Sequence, residues 1–264
     1  MLSCSLSSIQ DNLVNFLPVP KLLRWDWNLS QSHRCDRTIL VTSGCSFTAS
    51  TLTLDSANSW PGFVRDRCRF DHAVDWSMPG SGNLYISDSI IKYVKSLTES
   101  QKQDIFVVVM WSGLDREEDV SLSLEQPCID GFSYQRRDPR LSKKQQALDS
   151  YNNIIRTKEY LEQQKIPFAF TFYMNLLYPP CLPSRDTTHT FNSFLDSDRL
   201  TNLKKLCWTP SNPNDYLYDF SFYHNYLDQS SDKFHPGSGC ILDWTDTVLL
   251  PSLTQQKLIN LYSR

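Results

Sequence analysis

The chain has 264 residues, 40% of them apolar and 21% charged, with a formal net charge of −3. That balance supplies a full hydrophobic core, which argues against disorder, and it contains no basic stripe to neutralise phosphates, which argues against a nucleic-acid partner. No run approaches the roughly 20 apolar residues that span a bilayer, and the first twenty residues lack the basic and apolar regions of a secretory signal. Synthesis in the cytoplasm, without a membrane anchor, is therefore expected.

Eight cysteines (Cys4, Cys35, Cys45, Cys68, Cys128, Cys181, Cys207 and Cys240) include no C-x-x-C pair, so a zinc knuckle or a thioredoxin-like motif is not expected. Their even number permits disulfides, but a chain of this length does not need them. Reduced, buried thiols are the expectation.

Residues 1–37 carry Pro18, Pro20, Trp25 and Trp27 without a clean period and read as an N-terminal arm packed on the domain. Residues 38–44 are a short apolar run ended by Gly44, the pattern of a buried strand, and lead into Cys45-Ser46-Phe47-Thr48. A helix is predicted from Ser59, with Pro61 suited to its first turn. A weak second strand at 73–76 is closed by Met78-Pro79-Gly80-Ser81-Gly82-Asn83, which opens an amphipathic helix through Ile86, Ile90, Tyr93 and Val94. Residues 104–110 are an unbroken apolar run, as in a strand covered on both sheet faces. That run ends in Trp111-Ser112-Gly113-Leu114-Asp115-Arg116.

Residues 117–140 are polar and read as an irregular inserted loop. Ser142 is the expected cap of a long helix reaching about Gln164, and 167–173 form the next buried strand. Residues 175–230, rich in proline and aromatics, read as a second insertion with short helices. A closing helix is predicted from Pro236 to about Leu250. Strands alternating with helices imply an α/β fold with a parallel sheet covered on both sides, here a single domain over 38–264. Active sites of such sheets lie beyond the carboxyl ends of the strands. The turns after Gly44, Trp76, Met110 and Tyr173 all fall there.

Ser46 follows a strand and precedes a helical turn, so its N–H would point from a helix N-terminus, where negative charge is favoured. The alternative is a plain N-cap, a frequent use of serine. Asp232-Lys-Phe-His235-Pro236 offers a partner: an acid three residues before an imidazole can hold Nδ1–H and leave Nε2 for a serine. His189 and His224 have no metal-ligand spacing, and no metal site is expected. Trp208, Tyr216, Tyr218, Phe220, Phe222, Tyr223 and Tyr226 crowd the segment before Asp232. They could stack on sugar rings or pack a lid onto the domain.

Together these blocks resemble the SGNH (GDSL-like) hydrolase superfamily. Gly44-Cys45-Ser46 stands where the family has Gly-Asp-Ser, Val74 to Gly80 is similar to its strand, turn and oxyanion glycine, and Asp232 to Pro236 matches its Asp-x-x-His-Pro. The third block departs: Ser112-Gly113-Leu114-Asp115 carries Leu114 where the family has an oxyanion-binding asparagine, and leucine has no donor.

The resemblance implies a three-layer α/β/α sandwich with a flavodoxin-like parallel sheet, and a serine esterase acting on a small-molecule or glycan ester, most simply an O-acetylated carbohydrate. Ser46, Asp232 and His235 would be the triad, and the N–H groups of Ser46 and Gly80 the oxyanion hole. Asn83 or Ser112 would supply the missing donor, with helix capping the alternative for Asn83. Trp111 and Tyr223 would touch substrate, and no cofactor is implied. The same scaffold fits two rivals: a non-catalytic glycan-binding or virion structural module, and a sugar O-acyltransferase. The Trp-Ser-Gly-x-Asp-Arg form of block three is similar to virus-encoded members of the family, so association with a virion is an expectation too.

Overall fold

The computed structural model describes residues 21–22, 33–34, 37–49, 59–116, 118–122, 128–129, 132–136, 142–177, 190–208, 215–218, 236–255 and 260–261. Its centre is a five-stranded sheet made of β1 (Lys21–Leu22), β3 (Ile39–Gly44), β4 (His72–Asp75), β5 (Ile105–Trp111) and β9 (Phe168–Phe172), ordered β1-β4-β3-β5-β9. β1 runs antiparallel at the edge, and the other four strands are parallel. Apart from this sheet, β2 (His33–Arg34) pairs antiparallel with β10 (Asn260–Leu261). Most of the expected N-terminal arm lies outside the described residues. Ile39 to Gly44 lies in register with Ile105 to Met110, so the turns that leave these two strands emerge side by side.

The four parallel strands sit within a residue or so of the positions predicted from the apolar runs. Their side chains explain why. All seven residues of β5 are buried, and successive ones point to opposite faces. Val107, Val109 and Trp111 join a core with Ile86, Ile90 and Ile154. Phe106, Val108 and Met110 join another with Trp60, Val64 and Trp244. Each fully buried aliphatic or aromatic side chain contributes about 1.5–3 kcal/mol of transfer free energy. Two such cores, one on each face of the sheet, make the molecule a three-layer α/β/α sandwich.

The first core belongs to helices α2 (Asn83–Ser96) and α4 (Lys143–Gln163). The second belongs to α1 (Trp60–Cys68) and to the C-terminal run. Local signals set the helix starts. Ser59 Oγ accepts from Gly62 N and Ser142 Oγ accepts from Gln145 N (3.2 Å), each satisfying an orphan donor of its first turn.

Chain order sets the place of the site. From β3 the chain crosses to β4 on one side, then returns past β3 to β5 and continues to β9. This is the flavodoxin-like order, and the reversal between β3 and β5 is a topological switch point. Crevices at such points, outside the carboxyl ends of the strands, are where α/β sheets bind ligands.

Two expectations need correction. The described residues of 117–140 are not irregular: β6 (Glu118–Leu122), β7 (Cys128–Ile129) and β8 (Phe132–Arg136) form an antiparallel ribbon ordered β6-β8-β7. Its sequence alternates apolar and polar residues over only a few positions, and Val120 pairs with Tyr134, Leu122 with Phe132. A ribbon asks no more than that short period-two signal. The closing helix also runs further than predicted, as α6 (Ser238–Trp244), a π turn (Thr245–Leu249) and α7 (Leu250–Gln255). The wide turn precedes Pro251, which has no N–H for an α-helical bond to Thr247.

Two shorter helices, α3 (Glu99–Lys102) and α5 (Ser197–Leu206), lie in the connections that follow α2 and β9. No described helix is long and apolar enough to cross a membrane.

Candidate active site

Beyond β3 the chain turns at once. Thr48 N and Ala49 N both donate to Cys45 O at 2.9 Å, so Ser46 occupies the first bend of a helical turn. Space forces the glycine before it. A Cβ on Gly44 would lie 2.7 Å from Thr48 Cβ and 2.9 Å from Met110 O, and nearer still to Thr48 Oγ1.

The neighbouring turn, after β4, is tied to this one. Gly44 O accepts from Met78 N (3.1 Å) and from Ser81 Oγ (3.0 Å). Below it, the Asp75 carboxylate accepts from Thr42 Oγ1 (2.9 Å), Ser77 N (3.1 Å) and Ser77 Oγ (2.5 Å). Between these anchors Gly80 takes a φ of 82°, a left-handed conformation in which glycine carries no steric penalty. Among the described residues, nothing lies within 4 Å of the position its Cβ would have. Its N–H has no acceptor among the described residues.

On the other side of Ser46, the turn after β5 is fixed by Asn83. Asn83 Oδ1 accepts from Ser112 N (2.8 Å), while Nδ2 donates to Ser112 O (3.2 Å) and to Ser150 Oγ (2.8 Å). Its amide is spent on a buried clamp between α2, α4 and the end of β5. It does not cap α2 either, since Gly82 holds the cap position. Neither role expected for Asn83 is the one its side chain has.

Two further expectations meet the same burial. Ser112 is fully buried, and its Oγ has no hydrogen-bond partner among the described residues, so a substrate oxygen does not reach it. Trp111, expected against substrate, is fully buried too and packs edge-on against Phe170 at 5.3 Å. Its place on a strand covered on both faces leaves it no route to a ligand. Leu114 is 0% exposed within the core under α2 and α4.

One residue that the motifs did not single out is Arg116. Leu114–Arg116 is a single 3-10 turn in which Leu114 is buried and Arg116 only half-buried. Arg116 Nη1 donates to Ser46 Oγ at 3.5 Å, a long contact, and the guanidinium lies 5.7 Å from the Tyr173 ring centroid. Tyr173 stacks on Phe47 at 4.6 Å, and Tyr218 packs edge-on against Phe47 at 5.6 Å. A cation thus rests on an aromatic wall beside Ser46, which is itself 8% exposed. The signal for it was in the block-three motif, which lacks an asparagine but carries an arginine two residues later.

Of the aromatics that precede Asp232, Tyr216 is fully buried in the core of α2 and α4, and Trp208 and Tyr218 pack against the other core. These three serve packing. Phe220, Phe222, Tyr223 and Tyr226 lie outside the described residues, as do Asp232 and His235. Pro236, the next described residue, is buried, and α6 follows. Cys240, Ile241 and Trp244 of α6 share one core with Cys45 and Phe47, the two residues flanking Ser46. A solvent-open hollow lined by Arg37, Glu99, Lys102 and Lys165 lies at the opposite, amino edge of the strands. Among the described residues, no group of three or more His, Cys, Asp or Glu is placed to hold a metal ion.

No protein-family model matches the chain, and no curated protein matches it in sequence. Among solved structures it is similar to the psychrotrophic esterase EstA from a Pseudoalteromonas species, at 12% identity and a TM-score of 0.47 over 83% of this chain and 98% of that one. A GDSL-like lipase from Bacteroides thetaiotaomicron matches at 12% identity and a TM-score of 0.40, over 83% and 89%. An acetyl xylan esterase from the rumen bacterium Butyrivibrio proteoclasticus matches at 8% identity and 0.44, over 85% and 65%.

Proposed function

We propose that the chain is a serine esterase of the SGNH type, which removes O-acyl groups, acetyl foremost, from a carbohydrate through an acyl-enzyme on Ser46. The observation that carries this reading is the position of Ser46. It stands at the switch point of the sheet, flanked by the turn that carries Gly80 on one side and by the Arg116 guanidinium on the other. A serine that merely capped a helix would need neither neighbour.

In this scheme Ser46 Oγ attacks the ester carbonyl as His235 Nε2 takes its proton, and the carbonyl π electrons move onto the oxygen. Asp232 holds His235 Nδ1–H and so fixes the tautomer. The N–H groups of Ser46 and Gly80 stabilise the oxyanion. Collapse expels the alcohol, which takes the proton from His235, and water then releases the acid by the same route. The packing of α6 with Cys45 and Phe47 supports this convergence, since α6 begins three residues after His235. The carbohydrate as the alcohol side rests on the family resemblance alone. The scheme uses no metal or organic cofactor.

A second reading, the non-catalytic glycan-binding or virion module, is favoured by one observation. Leu114 is sunk in the core, so the family's asparagine amide has no equivalent at its own position. One experiment separates the two. A fluorophosphonate probe should label Ser46 in the wild type, and Ser46→Ala should lose both labelling and release of acetate from aryl acetates. Absence of labelling and turnover in folded wild type would leave the binding module. Acyl transfer differs only in its acceptor, so added sugar would divert the acyl group from water.

A further inference from the structure

We propose that the Arg116 guanidinium is the side-chain oxyanion donor of this enzyme, standing in for the asparagine replaced by Leu114. The inference rests on the esterase reading above. Four observations on the turn after β5 lead to it.

First, the side chains nominated from sequence are unable to serve. Leu114 has no donor, both Asn83 amide hydrogens are engaged, and Ser112 is fully buried. Second, Arg116 lies on the same turn, two residues past Leu114, and its Nη1 is 3.5 Å from Ser46 Oγ. In a tetrahedral intermediate the attacking oxygen and the oxyanion share one carbon, roughly 2.3 Å apart, so a donor that reaches Oγ can also close on the oxyanion, at about 2.7–3.1 Å.

Third, the sheet order sets Arg116 across β3 from the turn that carries Gly80. β4 supplies the Gly80 turn on one flank of β3, and β5 supplies the Arg116 turn on the other. Fourth, the guanidinium is held in place before substrate arrives. Its position against the Tyr173 ring, itself braced by Phe47 and Tyr218, restricts a side chain that would otherwise sample many rotamers. Preorganised donors cost no reorganisation when charge develops. A guanidinium is also a permanent cation, so it neutralises the oxyanion as well as donating to it.

The rival role for such a cation is to anchor an anionic group of the substrate, and kinetics on a neutral aryl acetate distinguish the two. A transition-state donor acts on kcat, and a ground-state anchor acts on KM. Arg116→Gln should lower kcat by about 10²–10³ with KM little changed, and Arg116→Lys, which keeps charge but not the fork, should fall between. Adding guanidinium or methylguanidinium to an Arg116→Ala protein should restore part of the rate, a readout that a purely structural residue would not give. Folded Arg116→Gln protein with kcat within about threefold of wild type would overturn the inference. So would a defect confined to KM for anionic esters. Should Arg116→Gln fail to fold, Arg116→Lys and the rescue of Arg116→Ala decide, and absence of both an intermediate rate and rescue counts against. Failure of wild type itself to label at Ser46 or to turn over ester would instead sink the esterase reading.

Discussion

Gly44 and Thr48 are in such close contact that no Cβ fits on Gly44 without displacing the Thr48 side chain or the Met110 carbonyl. The helical bend carrying Ser46 is drawn tight by this approach. Gly44→Ala is therefore expected to destabilise the protein by about 1–3 kcal/mol, the range for forcing a methyl into a packed site. Urea unfolding would measure it. Gly44→Ala combined with Thr48→Gly should recover part of the loss, because one of the two obstacles is then gone. Equal stability of wild type and Gly44→Ala would mean that the bend is looser than its geometry states.

Asn83 offers a contrast between structure and catalysis. Removing its amide leaves Ser112 N–H and Ser112 C=O buried without partners. Each unsatisfied buried group costs about 1–3 kcal/mol. Asn83→Ala should thus be among the more destabilising single changes at this edge of the sheet. Asn83→Asp keeps an acceptor for Ser112 N but turns a carboxylate oxygen toward Ser112 O, so it should not rescue. Thermal melts of both variants check this. A stable Asn83→Ala protein with slowed ester turnover would return Asn83 to the role of oxyanion donor.

At the far side of the second core, Arg67 donates to Asp246 through Nε (2.8 Å) and Nη2 (2.7 Å), a bidentate fork from α1 to the π turn. Hydrogen bonding to Asp246 raises the Arg67 pKa, with desolvation opposing. Both side chains are about a third exposed, so solvent screens the pair, and Asp246→Asn should cost no more than about 1 kcal/mol. The loss should shrink as salt is added. Denaturant midpoints at low and high ionic strength test it, and a large, salt-insensitive effect would contradict the surface character of the bridge.

The parallel strands were legible because a strand covered on both faces must be apolar throughout, as residues 105–111 are. The glycine before Ser46 was legible as a strand terminator, though its contact with Thr48 was not, since that depends on a turn four residues long closing on itself. Residues 118–136 hid a ribbon because their alternation spans too few positions to stand out from a polar background. The role of Asn83 is hidden in the sequence for a related reason. Its partners, Ser112 and Ser150, are distant in sequence, and one residue type serves equally as cap, clamp or donor. Block three shows Arg116 as a residue but not its place, since the family's donor position falls on Leu114 and only the 3-10 turn brings a residue two places further on beside Ser46.

Leu114 gives the sharpest test of how this site differs from the family it resembles. By motif alignment, Leu114→Asn would restore a lost oxyanion donor and speed the reaction. The structure leads to the opposite expectation. Leu114 is fully buried, in one core with Trp111, Ala147 and Ile154, so an amide there would give up aliphatic packing and bury polar atoms without assured partners. Truncating a buried leucine costs about 2–5 kcal/mol, and an unsatisfied amide adds to that. Leu114→Asn should therefore lower stability by at least about 2 kcal/mol and give no increase in kcat per folded molecule. Leu114→Met, which conserves volume, should cost less than about 1.5 kcal/mol and leave turnover unchanged. Unfolding midpoints and active-site titration with a fluorophosphonate, run on the same samples, separate folded fraction from intrinsic rate. A Leu114→Asn protein that is both stable and faster would place its amide at the oxyanion, and the third donor would then not be Arg116.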